Sequence, residues 1–215
     1  MFDWLLRWVF PPKCILCRKL LKDAETDLCK SCRQEAPEFT FPKKNFSFIA
    51  RWTALWYYEG AVKESLLRFK FKNRPGYADA YGKLLAMRLL HDEMTDFHIL
   101  TWVPISPKRK KERGYDQVEL IAKAVGKELS VTPVATLYKH RNAPPQSGIK
   151  NAAARKANIL NAYKPLDPAC YKGKRILLLD DIVTTGSTAS ECARVLMTAG
   201  AKEVIFAAVA ATDHK

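Results

Sequence analysis

The stretch Ile176-Leu177-Leu178-Leu179-Asp180-Asp181-Ile182-Val183-Thr184-Thr185-Gly186-Ser187-Thr188 constrains the fold more than any other part of the chain. Ile176 to Leu179 is a short unbroken apolar run, the pattern of a strand buried on both faces. Strands of that kind belong to parallel sheets covered by helices on each side. A helical pattern follows from Ala189 to Ala199 and stops at Gly200, a residue suited to a helix end. Between strand and helix lie hydroxyls, a glycine and backbone N–H groups. A loop that enters a helix N-terminus from the carboxyl end of a parallel strand can hold a phosphate. Asp180 and Asp181, expected to close the strand, can accept hydrogen bonds from a pair of vicinal hydroxyls. Phosphate and diol at that separation describe a ribose 5-phosphate.

An ordinary capped strand-loop-helix corner would account for a lone acidic pair. Here the pair, the hydroxyl run and the apolar strand occur in one register. The segment resembles the signature of type I phosphoribosyltransferases. That resemblance implies that Asp180 and Asp181 are the catalytic acids holding the ribose hydroxyls. It also implies that Thr184, Thr185, Gly186, Ser187 and Thr188 wrap the 5-phosphate. The segment lacks the Gly-Lys-Ser/Thr ending of a Walker-type loop.

Near the amino terminus, Cys14-x-x-Cys17 and Cys29-x-x-Cys32 form two knuckles separated by eleven residues. Four thiolates so spaced can close a tetrahedron on Zn²⁺, an ion suited to sulfur. Paired disulfides would need an oxidising compartment, and nothing in the sequence suggests export. A redox CxxC would stand once beside a βαβ pattern, not twice in a short polar stretch. All four positions would be filled by protein, so the metal is structural rather than catalytic. Cys170 and Cys192 stand apart and read as incidental and packing residues.

With 215 residues and 48% hydrophobic content, the chain can hold one α/β domain and a small appendage. The expected division is residues 1–42 for an amino-terminal helix and zinc knuckle, and 43–215 for the larger domain, with Pro37 and Pro42 marking the linker. No apolar run reaches the length of a membrane span. The opening Met1-Phe2-Asp3-Trp4-Leu5-Leu6-Arg7-Trp8-Val9-Phe10 reads as a short helix packed on its own protein, or as a docking face for a partner or a membrane surface. The net charge of +14 is unevenly spread: residues 107–175 hold 16 Lys and Arg against 5 Asp and Glu, a local +11. That field suits a pyrophosphorylated sugar, and equally a nucleic-acid backbone.

Strands are expected over 51–58, 98–105, 134–138 and 204–210, and helices over 61–71, 81–90 and from Asp116 to about 129, with Glu119 completing a capping box. One helical turn over 152–156 and an extended piece over 159–163 lead to the apolar strand. Alternating strands and helices argue for an α/β fold with a mostly parallel sheet. The stretch 107–114 reads as a basic loop leaving the carboxyl end of a strand. Lys108, Arg109 and Arg113 there can meet the charge developing on a pyrophosphate leaving group, or form a solvated basic turn. The long stretch 140–150, with Pro144-Pro145 and Ser147-Gly148, has the character of a lid that excludes water from a reactive sugar.

Taken together, a four-cysteine knuckle, Arg113-Gly114-Tyr115-Asp116-Gln117, Gln146-Ser147-Gly148, Arg155, Asn158 and Asp180 to Gly186 resemble the bacterial ComF family over nearly the whole chain. Asp116 stands where the family usually has Asn, which puts an amide contact there in question and leaves Arg113 and Gln117. The resemblance implies a type I phosphoribosyltransferase-like domain behind an amino-terminal zinc knuckle. It implies a substrate site for 5-phosphoribosyl 1-pyrophosphate with Mg²⁺, to which Gln146 and Arg155 contribute. It further implies a cytoplasmic protein of natural competence that handles imported single-stranded DNA beside a helicase-like partner. Family members elsewhere suggest the alternative, an active phosphoribosyltransferase of nucleotide or amine salvage with an unnamed acceptor. An adaptor whose knuckle docks a motor protein is a third reading.

Overall fold

A computed structural model describes residues 11–22, 24–40, 44–140 and 160–212. A short helix α1 (Lys30–Glu35) closes the cysteine knuckle. Strand β1 (Trp52–Tyr57) leads into helices α2 (Gly60–Phe71) and α3 (Tyr77–His91). Strand β2 (Ile99–Trp102) is followed by α4 (Pro107–Arg113) and α5 (Gln117–Glu128). A two-stranded antiparallel ribbon, β3 (Leu137–Lys139) with β4 (Tyr163–Pro165), precedes β5 (Arg175–Val183), α6 (Ser187–Thr198) and β6 (Glu203–Ala211).

The main sheet has the order β1-β6-β5-β2 and every pairing in it is parallel, so all four strands end at one edge. Its two central strands are covered on both faces, and their side chains alternate between the two cores. Leu177, Leu179, Ile205, Ala207 and Val209 face a core built with α2, α3 and α5. Ile176, Leu178, Val204, Phe206 and Ala208 face a second core with α6 and the β3–β4 ribbon. The alanine-rich run of β6 leaves room for these helices to lie close.

The structure revises several expectations. β5 does not stop at the acidic pair: its ladder with β6 continues through Asp180↔Ala208, Ile182↔Ala210 and Val183↔Ala211. The expected basic loop over 107–114 is instead the helix α4. Ser106 caps it by accepting from Arg109 N at 3.4 Å, Pro107 opens it, and Gly114 ends it at φ +82°. The strand expected over 134–138 forms three residues later, where Leu137 to Lys139 find β4. The extended piece near 163 is displaced toward Pro165, after a turn with Asn161 at φ +58°. Asp116 caps α5 as expected, but Glu119 turns away from the capping box to pair with Lys110 at 2.9 Å and Lys123 at 2.7 Å. Residues 1–10, the turn expected over 152–156 and the expected lid beyond His140 lie outside the described residues.

Helices α3 and α5 cross at Gly82. A Cβ added there would lie 2.3 Å from Ala124 Cβ and 2.9 Å from the backbone of Ala124 and Val125. Alanine is the better helix former by about 0.8–1 kcal/mol. Overpacking against backbone costs about 1–3 kcal/mol, and that cost is expected to win. Gly82→Ala should therefore cost a net ~1 kcal/mol of stability, read as a lower urea midpoint at unchanged m-value. A Gly82→Ala chain more stable than the parent would show that the two helices separate freely.

Candidate functional site

Because β5 runs through the acidic pair, its two carboxylates leave the strand on opposite faces. Asp181 faces the core of α2 and α5. Its Oδ1 accepts from Lys70 Nζ at 2.9 Å, and its Oδ2 accepts from Gln117 Nε2 at 2.9 Å. The Gln117 side chain is buried, and its Oε1 has no partner among the described residues. Asp180 faces the other core, and its Oδ1 accepts from Asp181 N at 2.8 Å. Burial and the Asp181 charge push the Asp180 carboxyl well above the usual carboxylate range, against the pull of Lys70.

The following loop turns through Gly186 at φ +73°, which stands at the N-cap of α6. The Phe46 ring lies against it: a Cβ at Gly186 would meet that ring at 2.2 Å, so the position is closed to any side chain. Thr185 Oγ1 and Ser187 Oγ lie 2.8 Å apart, and Thr185 Oγ1 also accepts from Ser187 N at 3.4 Å. The loop from Thr184 to Thr188 thus carries hydroxyls and the first N–H groups of a twelve-residue helix at the carboxyl edge of the sheet.

The basic residues after β2 reach the same edge on α4. The Arg113 guanidinium lies over the Phe71 ring at 5.1 Å, and burial lowers its pKa while Asp181 opposes that shift. Arg109 is half-buried and Lys108 exposed. Asp116 answers the question its departure from Asn raised. Its Oδ1 accepts from Val118 N and Glu119 N at 3.0 and 3.2 Å, and its Oδ2 accepts from Ile105 N at 3.1 Å. A carboxylate suits that position because both oxygens accept; an amide nitrogen would face the Ile105 N–H. Gln146 and Arg155 lie outside the described residues.

Three neighbours escaped the sequence reading. Lys70 looks like a solvent residue of an amphipathic helix, and no local signal places it on Asp181. Lys139 Nζ bonds Tyr163 OH at 3.2 Å and lies 5.0 Å from that ring's centre. Burial and then Arg109 hold the Lys139 pKa down, with Cys192 and Asp180 as the opposing charges. Phe46 is one of several aromatics in its segment, with Phe39, Phe41, Phe48 and Trp52 around it, and no local signal marks it as the one that meets the glycine loop. Gln117 was visible only as part of the five-residue motif.

In the amino-terminal knuckle, the sulfurs of Cys14, Cys17, Cys29 and Cys32 all lie within 4.8 Å of one another, and Cys17 and Cys29 Sγ are 3.6 Å apart. A tetrahedral ion with Zn–S of about 2.3 Å sets its sulfurs about 3.8 Å apart, so the donor set fits zinc. The knuckle is seated on α2. Ser65 Oγ donates to Ile15 O, and Arg68 donates to Ile15 O at 3.1 Å and to Leu16 O. Ile15 and Leu16 are buried beside Leu66, Phe69 and Tyr81.

Comparison with known proteins agrees with both halves. A phosphoribosyl transferase domain model matches residues 119–215, and a double zinc ribbon domain model matches residues 5–43. Competence protein F of Haemophilus influenzae is 24% identical over 215 residues, covering 89% of this chain and 93% of that protein. Competence protein ComFC of Streptococcus pneumoniae is 30% identical over 151 residues, 70% of this chain and 64% of that protein. DNA utilization protein YhgH of Escherichia coli K12 is 30% identical over 141 residues, 64% of this chain; the match spans 61% of that protein's length. The fold is thus that of a type I phosphoribosyltransferase, a parallel sheet flanked by helices with an amino-terminal zinc ribbon. The chain belongs to the ComF family. No helix among the described residues is long and apolar enough to cross a membrane.

The zinc site is structural, with four protein thiolates and no open position. Elemental analysis should find one zinc per chain bound by this set. Cys29→Ser should lose it and lower the melting temperature, because a loosened knuckle uncovers Ile15 and Leu16, worth about 1.5–3 kcal/mol each when fully buried. Zinc retained in the variant would show that other groups hold the ion.

Proposed function

We propose that this chain binds 5-phosphoribosyl 1-pyrophosphate with Mg²⁺ at the carboxyl edge of its sheet, and that it serves natural competence in the cytoplasm by handling imported single-stranded DNA. The observation that carries the donor reading is Asp181, whose two oxygens are held at 2.9 Å by Lys70 and Gln117 beside the Gly186 loop. Asp181 accepts from a ribose hydroxyl, and the buried Gln117 Oε1 offers a further acceptor. The loop from Thr184 to Thr188 takes the 5-phosphate, and Arg109 and Arg113 take the pyrophosphate. The carboxylate oxygens of the pair suit Mg²⁺, a hard ion that would offset pyrophosphate charge. By the family resemblance, Gln146 and Arg155 complete this reading.

Competence enters from relatives that carry that name, and DNA from the charge distribution. Lys108 and Lys111 stand exposed on α4, whereas Lys110 is tied to Glu119. Pyrophosphate and DNA would compete for that helix. A second reading, transfer to a nitrogen acceptor, draws on Lys139: an amine with a lowered pKa near the acidic pair suits a general base. A pyrophosphate-release assay against bases, amines and oligonucleotides separates the two readings.

Calorimetry with the donor and Mg²⁺ tests the site directly. Asp181→Ala should weaken binding by about 1.5–3 kcal/mol, roughly ten- to hundredfold. Equal affinity in the wild type and an Asp180/Asp181 double alanine chain would refute the assignment.

Fluorescence anisotropy tests the DNA surface. A labelled oligonucleotide should bind at low salt and dissociate steeply as salt rises. Lys108→Glu with Lys111→Glu should flatten the salt slope by about 1.4, two single-strand phosphate contacts. Binding unaffected by that pair of reversals would move the DNA path off α4.

A further inference from the structure

The Lys70–Asp181 pair joins residues far apart in the chain, and both side chains are largely withdrawn from water, at 16% and 6% exposure. A buried ion pair of this kind adds little stability over a well-packed apolar pair, because desolvation offsets the attraction. Its place matters more. Both oxygens of Asp181 are held by protein donors, one of them a full positive charge. Lys70 is the cation in direct contact with Asp181, at 2.9 Å. The same helix end carries Phe71, on whose ring Arg113 rests at 5.1 Å. Lys70 contacts Asp181 on a flexible four-carbon stem, while the Arg113 guanidinium, stacked on the neighbouring Phe71, feels the Asp181 charge at longer range.

We infer that Lys70 is an exchanging counterion of the donor site. It guards Asp181 against free divalent ions, and it passes to the pyrophosphate when the donor arrives, releasing the carboxylate to the ribose and its ion. The inference rests on the donor-site reading above. Its consequence is that metal and donor bind together: a lone divalent ion must displace an ammonium, whereas the pyrophosphate draws that ammonium away. The exchange involves no bond formation beyond ion pairs and hydrogen bonds.

Two affinities on the full zinc-loaded chain test it. Electron paramagnetic resonance follows Mn²⁺ binding without donor, and calorimetry follows 5-phosphoribosyl 1-pyrophosphate binding with Mg²⁺. Lys70→Met should bind Mn²⁺ about tenfold or more tightly than wild type, and should bind the donor about tenfold or more weakly. Lys70→Arg, which keeps the charge, should restore both toward wild type. Lys70→Gln retains a hydrogen-bond donor on Asp181 without the charge, and gives the same opposed changes where the methionine variant proves too unstable. A merely structural lysine would make both affinities fall together; that result, or no change in either, overturns the exchange. A wild-type chain that binds no donor defeats the donor-site reading itself, whatever the variants do to Mn²⁺.

Discussion

A charge inside a parallel sheet is the constraint around which this molecule is arranged. β5 is covered on both faces, so a carboxylate placed on it is stripped of water wherever it points. The two acids meet that problem differently. For Asp181, α2 and α5 each bring a donor, Lys70 and Gln117. Asp180 has one backbone N–H and a nearby negative charge, and is driven toward neutrality. The positions of α2 and α5 relative to β5 are consequently fixed by polar contacts as well as by the packing of Leu66, Phe69, Val118 and Ile121.

This division gives the edge of the sheet two chemically distinct sides. On the Asp181 side lie Lys70, Gln117 and Arg113, a setting for an anionic ligand that also offers acceptors. On the Asp180 side lie Lys139 and Tyr163 on the ribbon, with Arg109 and Cys192 close enough to shift their titration. Gly186 opens α6, which packs on the Asp180 side of the sheet. The edge thus presents a donor-held carboxylate on one side, and a helix N-terminus with further cations on the other.

Much of this was legible in the sequence wherever the signal was local. The cysteine spacing, the apolar run of β5, the Asp116 cap and the glycine loop all act over a few residues. The misses have physical causes. α4 reads Pro-Lys-Arg-Lys-Lys-Glu-Arg and has no apolar face, so periodicity is silent; Ser106, Pro107 and Gly114 were the signals that marked its ends. β5 appeared to end at its acids because charge is rarely buried, yet the ladder with β6 supplies backbone partners beyond them. Glu119 sits three residues after the cap, but Lys110 and Lys123 compete for it and win. Lys70 could not be found at all, since the contact that matters joins it to a strand much later in the chain.

The helix that hides Lys70 also explains how the two halves of the chain are joined. Ser65 and Arg68 project from α2 to hold the backbone carbonyls of Ile15 and Leu16 in the zinc knuckle. Ser65 Oγ also meets Tyr81 OH at 2.6 Å, which ties α3 into the same joint. Less than one turn beyond Arg68, Lys70 holds Asp181. Zinc fixes the geometry of the knuckle, the knuckle accepts from Arg68 Nη2 through Ile15 O and Leu16 O and covers Leu66 and Phe69, and the helix so anchored presents its last turn to β5. The metal lies outside the candidate site, yet the residue that balances the buried charge is carried on the helix that the metal-bound knuckle holds in place.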